Sequence, residues 1–407
     1  MNGLVFALGL VVVLITAANV VFTLVLPRRP TGIERLSLLV NRLVRAAFLA
    51  VSRAARRYEV KDALLAPAAP MALLGQLAVW LGFFVAGYAF MLEPTTHGFS
   101  GAFIQAAVSL FSVGTEHAGG PPNRTLDIAA GATWAVVVTL QIAYLPSLYD
   151  AFNRREALVA MLESRAGLPA WGPEVLARHQ LVGIIDTLPS FYADWERWAA
   201  DVAESHTTYP VLLLFRSPEP WYSWVVGLLA VLDAAAMDLA LSPDASSSQA
   251  RLCLRMGFTA LNRIAKTLKW YVDPDPSPEG PITLTFEEFE QAVHMLQQIG
   301  YPMELTAEEA WPNFRGWRVN YETNAYRLAD RVMAPPAPWS GPRRHLHTGP
   351  VAPRRPPQRS PGGKVFTRDR PEAPASPPRK RGSLTRPKQR SSRPTAHDPV
   401  GESPPGT

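Results

Sequence analysis

Residues 99–122 read FSGAFIQAAVSLFSVGTEHAGGPP, and the fold turns on how this stretch is placed. Its first half, Phe99 to Phe111, is apolar and helix-compatible, but a span needs about 20 such residues. A hydroxyl-and-glycine turn follows, Ser112-Val113-Gly114-Thr115-Glu116-His117, and the chain leaves through Gly119-Gly120-Pro121-Pro122. On either side lies a run long enough to span. Met71 to Leu92 is bounded by Pro70 and Glu93, and Ile128 to Leu148 by Asp127 and Asp150. The order span, short helix, turn, span predicts a re-entrant loop. Irregular backbone at membrane depth is tolerated only where protein packs around it or water lines it. A packing turn with no ion role is the competing reading.

Gly3 to Leu26 is a further apolar run, interrupted only by Thr16, Asn19 and Thr23. A cleaved signal peptide would carry a basic leader and a shorter apolar core. Here the basic residues, Arg28 and Arg29, follow the run instead, which predicts an uncleaved anchor. The segment 28–70 is rich in arginine, whereas the segment between the second and third spans holds only Arg124. Positive charge collects on the cytoplasmic side. The expected topology is therefore a multi-pass protein of the plasma membrane, with the N-terminus external and everything after the third span cytoplasmic.

Within 28–70, Thr31 can cap a helix. On a continuous helix Arg35, Arg42, Arg45, Arg53, Arg56 and Arg57 share one face, while Ile33, Leu36, Val40, Leu43 and Val44 lie mostly opposite. Such a helix suits the headgroup plane, with these arginines contacting membrane lipids. Docking against the soluble part is the alternative.

Residues 71–150 resemble the two-helix pore module of the tetrameric potassium-channel superfamily. The matching pieces are an outer helix, a pore helix with Ser109 near its end, Ser112-Val113-Gly114 at the start of a filter, and an inner helix. The resemblance covers about a fifth of the chain. It implies a homo-tetramer whose backbone carbonyls replace the hydration shell of a permeant monovalent cation. The filter is degenerate, because Thr115 and Glu116 stand where the family has an aromatic residue and a second glycine. A four-fold Glu116 ring would suit cations generally. In the inner helix, Gly131 offers close packing or bending, and Pro146 removes a backbone donor and marks the expected hinge or gate.

Residues 151–334 are expected to form a cytoplasmic bundle of about six helices. Trp221 to Leu241 is apolar enough to suggest a fourth span, but Asp233 and Asp238 argue for a core helix. Thr285 and Glu288 predict a capping box. This part shows no phosphate loop, zinc-protease motif or nucleophile elbow, and the chain is not expected to be an enzyme or to hold a metal or other cofactor. The lone cysteine, Cys253, excludes an internal disulfide. From Pro335 the tail carries 15 Lys/Arg against 4 Asp/Glu. Its composition is that of a disordered segment. The overall charge of +6 therefore belongs to the tail, and no nucleic-acid partner is expected.

The fold expected is an all-α membrane protein with three transmembrane helices, a re-entrant pore helix and loop, a helical cytoplasmic domain and a disordered tail. The function expected is a potassium-like cation channel, or a channel-like protein, regulated by its helical domain. The alternative is a non-conducting anchored scaffold or signalling adaptor that recruits a cytoplasmic protein partner.

Overall fold

A computed structural model describes residues 2–26, 35–96, 98–111, 121–245 and 247–341. All of them lie in one compact unit. The cap expected at Thr31, the filter-like turn from Ser112 to Glu116 and the tail beyond Gly341 lie outside the described residues. Among the described residues every regular element is helical, and four helices are long and apolar enough to cross a membrane.

The first of these is α1 (Asn2–Leu24). Next come α2 (Arg35–Ser52) and α3 (Tyr58–Leu65), in place of the one continuous basic helix expected. The break at 53–57 takes Arg53, Arg56 and Arg57 off the face that carries Arg42 and Arg45. Helix α3 is pinned at its new angle by Asp62, which is ion-paired with Arg216, and by Tyr58, which accepts from Arg216 and donates to the Met333 carbonyl.

Helix α4 (Ala68–Leu92) packs along α1 through two glycines. A methyl group placed on Gly9 would sit 2.5 Å from the Gly87 carbonyl oxygen, so the backbones touch only because side chains are missing there. Helix α5 (Phe99–Phe111) is the short apolar helix, and α6 (Pro121–Ala166) is the longest element. Pro121 and Pro122 open α6, where a missing N–H is harmless, instead of forming the exit from the preceding turn. At 1.5 Å per residue α6 is roughly 70 Å long. It runs through Pro146 without ending and continues into the large core that begins at Val159.

Among the described residues seven further α-helices follow. They are α7 (Gly172–Val182), α8 (Leu188–Thr208), α9 (Trp224–Leu241), α10 (Ser248–Thr267), α11 (Phe286–Gln298), α12 (Ala307–Arg318) and α13 (Glu322–Arg331). Helix α7 ends where Gly183 takes a φ of +76° and turns the chain. The capping box of Thr285 and Glu288 starts α11. An equivalent one, Thr306 with Glu309, starts the unforeseen α12. The fold also extends past the expected boundary at Ala334. Trp339 is buried edge-on to Trp171, and its carbonyl accepts from Arg318 and Tyr326.

Three apolar clusters organise these helices. One joins α1, α4, α5 and the first half of α6. A large one runs from Val159 to Trp339 and includes most of α9 and the buried Cys253. A small third cluster lies between them. There Ala72 and Leu73 of α4 and Leu148 of α6 meet Val211, Leu212 and Phe215.

Candidate functional site

The candidate site is the hairpin α4–α5–α6. Three sets of contacts fix its shape. At the start of α5, the Phe99 ring lies 5.3 Å from that of Phe90, near the end of α4. Beside it, the Thr95 hydroxyl donates to Asn123 Oδ1 at 2.7 Å, tying the end of α4 to the first turn of α6. At the other end of α5, Ser109 Oγ donates to Asp127 Oδ1 at 2.7 Å, and Gln105 Nε2 donates to both carboxylate oxygens at 3.1–3.2 Å.

Gln105 and Ser109 are four residues apart and so share one helix face. That face also buries Ala102, Ala106 and Leu110 against α4 and α6. Asp127 is buried among these donors. A buried carboxylate is tolerated when hydrogen bonds replace its water, and here they come from the short helix. In the sequence Asp127 stands out only as the charge that bounds the third span. The signal that could have revealed its role is the polar pair Gln105 and Ser109 on the inward face of a short apolar helix.

The remaining polar residues of the hairpin divide by face. Thr133 exchanges a hydrogen bond of 2.8 Å with Tyr88 of α4 and donates to its own helix at Ala129. Gln141 is buried, and Gly131 is half-buried. On the opposite side of α6, Ile128, Ala132, Val136, Thr139, Ile142 and Pro146 are exposed at helical spacing, with Ile128 at 68 % and Ile142 at 62 %. They form one uncharged stripe along the inner-helix candidate, and the expected hinge Pro146 lies on it while Gly131 does not. Ser109, the expected pore-helix residue, is thus in the clamp. Ser112, Val113, Gly114, Thr115 and Glu116 lie outside the described residues.

Of the arginines expected at lipid headgroups, Arg35 opens α2, and Arg42, Arg53, Arg56 and Arg57 are exposed. Arg45 is half-buried, and its guanidinium donates twice to the Arg331 carbonyl at 2.8 and 3.2 Å. Helix α2 therefore packs on α4 with one side and is bonded to α13 through Arg45. For Arg45 this is the docking arrangement and not the headgroup one, because the end of α13 offers a carbonyl within reach.

A buried cluster lies where α6 enters the large core. Arg155 is fully buried and pairs with Glu156, donates to the carbonyls of Leu212 and Phe215, and approaches His206 Nε2 at 3.1 Å. An arginine cannot accept, so Nε2 is the acceptor and the ring proton sits on Nδ1. Burial, then the adjacent Arg155 charge, holds the His206 pKa well below its ordinary value. Among the described residues no three His, Cys, Asp or Glu side chains are grouped so as to hold a metal ion.

No family model matches the chain, and neither a curated protein nor a solved structure is significantly similar to it.

Proposed function

We propose that this chain is the subunit of an oligomeric, four-fold cation channel or channel-like protein of the plasma membrane, regulated by its helical cytoplasmic part. On this reading α1, α4 and the first half of α6 cross the bilayer, with the N-terminus outside. Helix α5 dips in from the outer side, and residues 112–120 return to the same face as a re-entrant loop. Helix α9 stays in the protein core.

The clamp on Asp127 carries the proposal. Asp127 lies six residues inside α6, about 9 Å along its axis from Pro121. The last turns of α5 are held at that depth, whereas its first turn is level with the end of α4. A helix descending between two spans and held at its far end by polar contacts to α6 is what a pore helix needs. The exposed stripe on α6 adds support, since a lone copy leaves it without a protein neighbour and four copies would face it toward a shared axis. Arg28, Arg29 and the basic segment 28–70 support the orientation.

Two measurements on purified full-length protein test this. The mass in detergent should be that of a tetramer, and vesicles containing the protein should pass monovalent cations. Glu116→Gln should alter selectivity or conductance, and Asp127→Ala should abolish flux by freeing α5. A monomer or dimer overturns the four-fold reading. Intact tetramers with no flux overturn conduction and leave the anchored scaffold.

A further inference from the structure

A cleft of about 410 Å³ opens between α2 and the soluble part, beside the docking contact of Arg45. Its charged lining consists of Arg42 and Arg45 from α2, Lys269 from the end of α10 and Arg331 from the end of α13. Among the described residues no acidic side chain lines it. Asp330, the acid that acts on Arg45, belongs to the neighbouring hollow on the other side of Arg45 and Arg331. Asn41 and Thr267 add polar groups, and Leu38, Leu39, Leu213 and Leu214 form an apolar wall.

Four cations in one cleft repel one another unless an anion sits among them. At two of them this repulsion adds to burial. Burial and the adjacent Arg331 push Arg45 down to about 10, and burial and Arg42 push Arg331 down. Lys269 adds an independent observation. It holds a φ of 60° as the turn residue after α10, a position glycine occupies at lower cost. A cation does favour a helix C-terminus, and Lys269 is also one of the residues that line the cleft.

We propose that the cleft binds a phosphate-bearing anion, held jointly by Arg42 and Lys269 beside the Arg45–Arg331 contact. Guanidinium and ammonium donors match phosphate oxygens, singly or in pairs. Two sources carry that chemistry, a free phosphate from solution or the headgroup of an anionic phospholipid whose apolar part rests on the leucine wall. The bound anion would tie α2, which packs on α4, to α10 and α13. The site stands apart from conduction and survives if the channel reading fails.

The test uses the full chain. In neutral detergent, inorganic phosphate should raise Tm saturably beyond chloride of equal ionic strength if the source is soluble. If the source is lipid, phosphate should do little. Nanodiscs with phosphatidylglycerol should then stabilise the protein relative to phosphatidylcholine alone, and native mass spectrometry should show a retained anionic lipid. In either case Arg42→Gln should weaken the effect about tenfold, the loss of one charge-assisted contact. Lys269→Gly should weaken it similarly while leaving the ligand-free Tm unchanged or higher, because glycine relieves the backbone. That separates lost binding from lost folding. No stabilisation by either probe, or equal stabilisation in wild type and both variants, overturns the proposal.

Discussion

Helices α1 and α9 are both long, almost wholly aliphatic and free of lysine and arginine, yet their surroundings are opposite. In α1, Leu4 is 77 % exposed and Ile15 is 62 % exposed. In α9, all eighteen residues from Trp224 to Leu241 are buried. The polar residues follow suit. Those of α1 are neutral and mostly satisfied close by, with Thr16 donating to the Val12 carbonyl and Thr23 to the Asn19 carbonyl. Those of α9 are carboxylates with partners from distant parts of the chain. Asp233 takes an ion pair from Arg318 at 2.6 Å and a hydrogen bond from Tyr321, and Asp238 accepts from Tyr301 at 2.8 Å. By hydropathy alone the two helices look alike. The charge type inside the run and the residues able to answer it elsewhere in the chain are what distinguish them.

The contrast is tested most severely at Arg318. It is fully buried, paired with Asp233 and Glu322, and donates to the Trp339 carbonyl. Replacing it with leucine leaves two buried carboxylates without their counter-charge. Breaking such a pair from one side costs about 3–5 kcal/mol. Arg318→Leu should lower the thermal midpoint of the tryptophan fluorescence transition more than any single change in α1. A shift as small as that of a surface substitution would mean that α9 is not locked into its core by these charges.

A smaller effect is expected from pH, beside the large core. His206 is held neutral by burial and by Arg155. Above about pH 6.5, the ordinary histidine value, folded and unfolded chains both carry it neutral and it contributes no slope. Below that value the unfolded chain takes up a proton that the folded chain refuses, so stability falls as pH falls. One such group contributes at most about 1.4 kcal/mol per pH unit. Melting followed from pH 7.5 to 5 should show the loss. His206→Gln, which keeps an acceptor for Arg155, should flatten that part of the curve. An unchanged slope would show that another group titrates there.

Much of this architecture is legible in the residues, and the failures have physical causes. The apolar runs of α1, α4 and α6 exceed the length of ordinary core helices, so they stand out. The box of Thr285 and Glu288 is a local pattern and locates α11. Helix α12 carries the same pattern at Thr306 and Glu309, but Pro312 inside it obscures the helical run. The break between α2 and α3 has no local signal, since it depends on Arg216 meeting Asp62 from 154 residues away. Trp339 reads as the start of a proline-rich tail because its partners, Trp171 and Arg318, lie elsewhere in sequence. In the candidate hairpin the sequence marks the short helix and Ser109, whereas Asp127 becomes an anchor only once α5 lies against α6.

The smallest expected effect lies at Asn19, where a buried polar contact joins α1 to α4. Trp80 Nε1 donates to Asn19 Oδ1 at 2.7 Å, and both side chains are buried. In water, orphaning a buried donor costs about 1–3 kcal/mol. Between membrane helices the measured mean is about 0.6 kcal/mol, because separated helices in lipid still find partners for their polar groups. With α1 and α4 in the bilayer, as proposed, Asn19→Leu should therefore cost about 0.6 kcal/mol. The readout is the separation of α1 from α4 as detergent is raised, followed by the yield of a disulfide between one cysteine introduced on each helix near the Gly9–Gly87 contact. That close approach is untouched by the substitution and should keep the pair together, so the yield should fall only slightly. A loss comparable to that at Arg318 would mean that the polar contact governs this pair, and that α1 is held as a core helix is held, by satisfied polarity more than by fit.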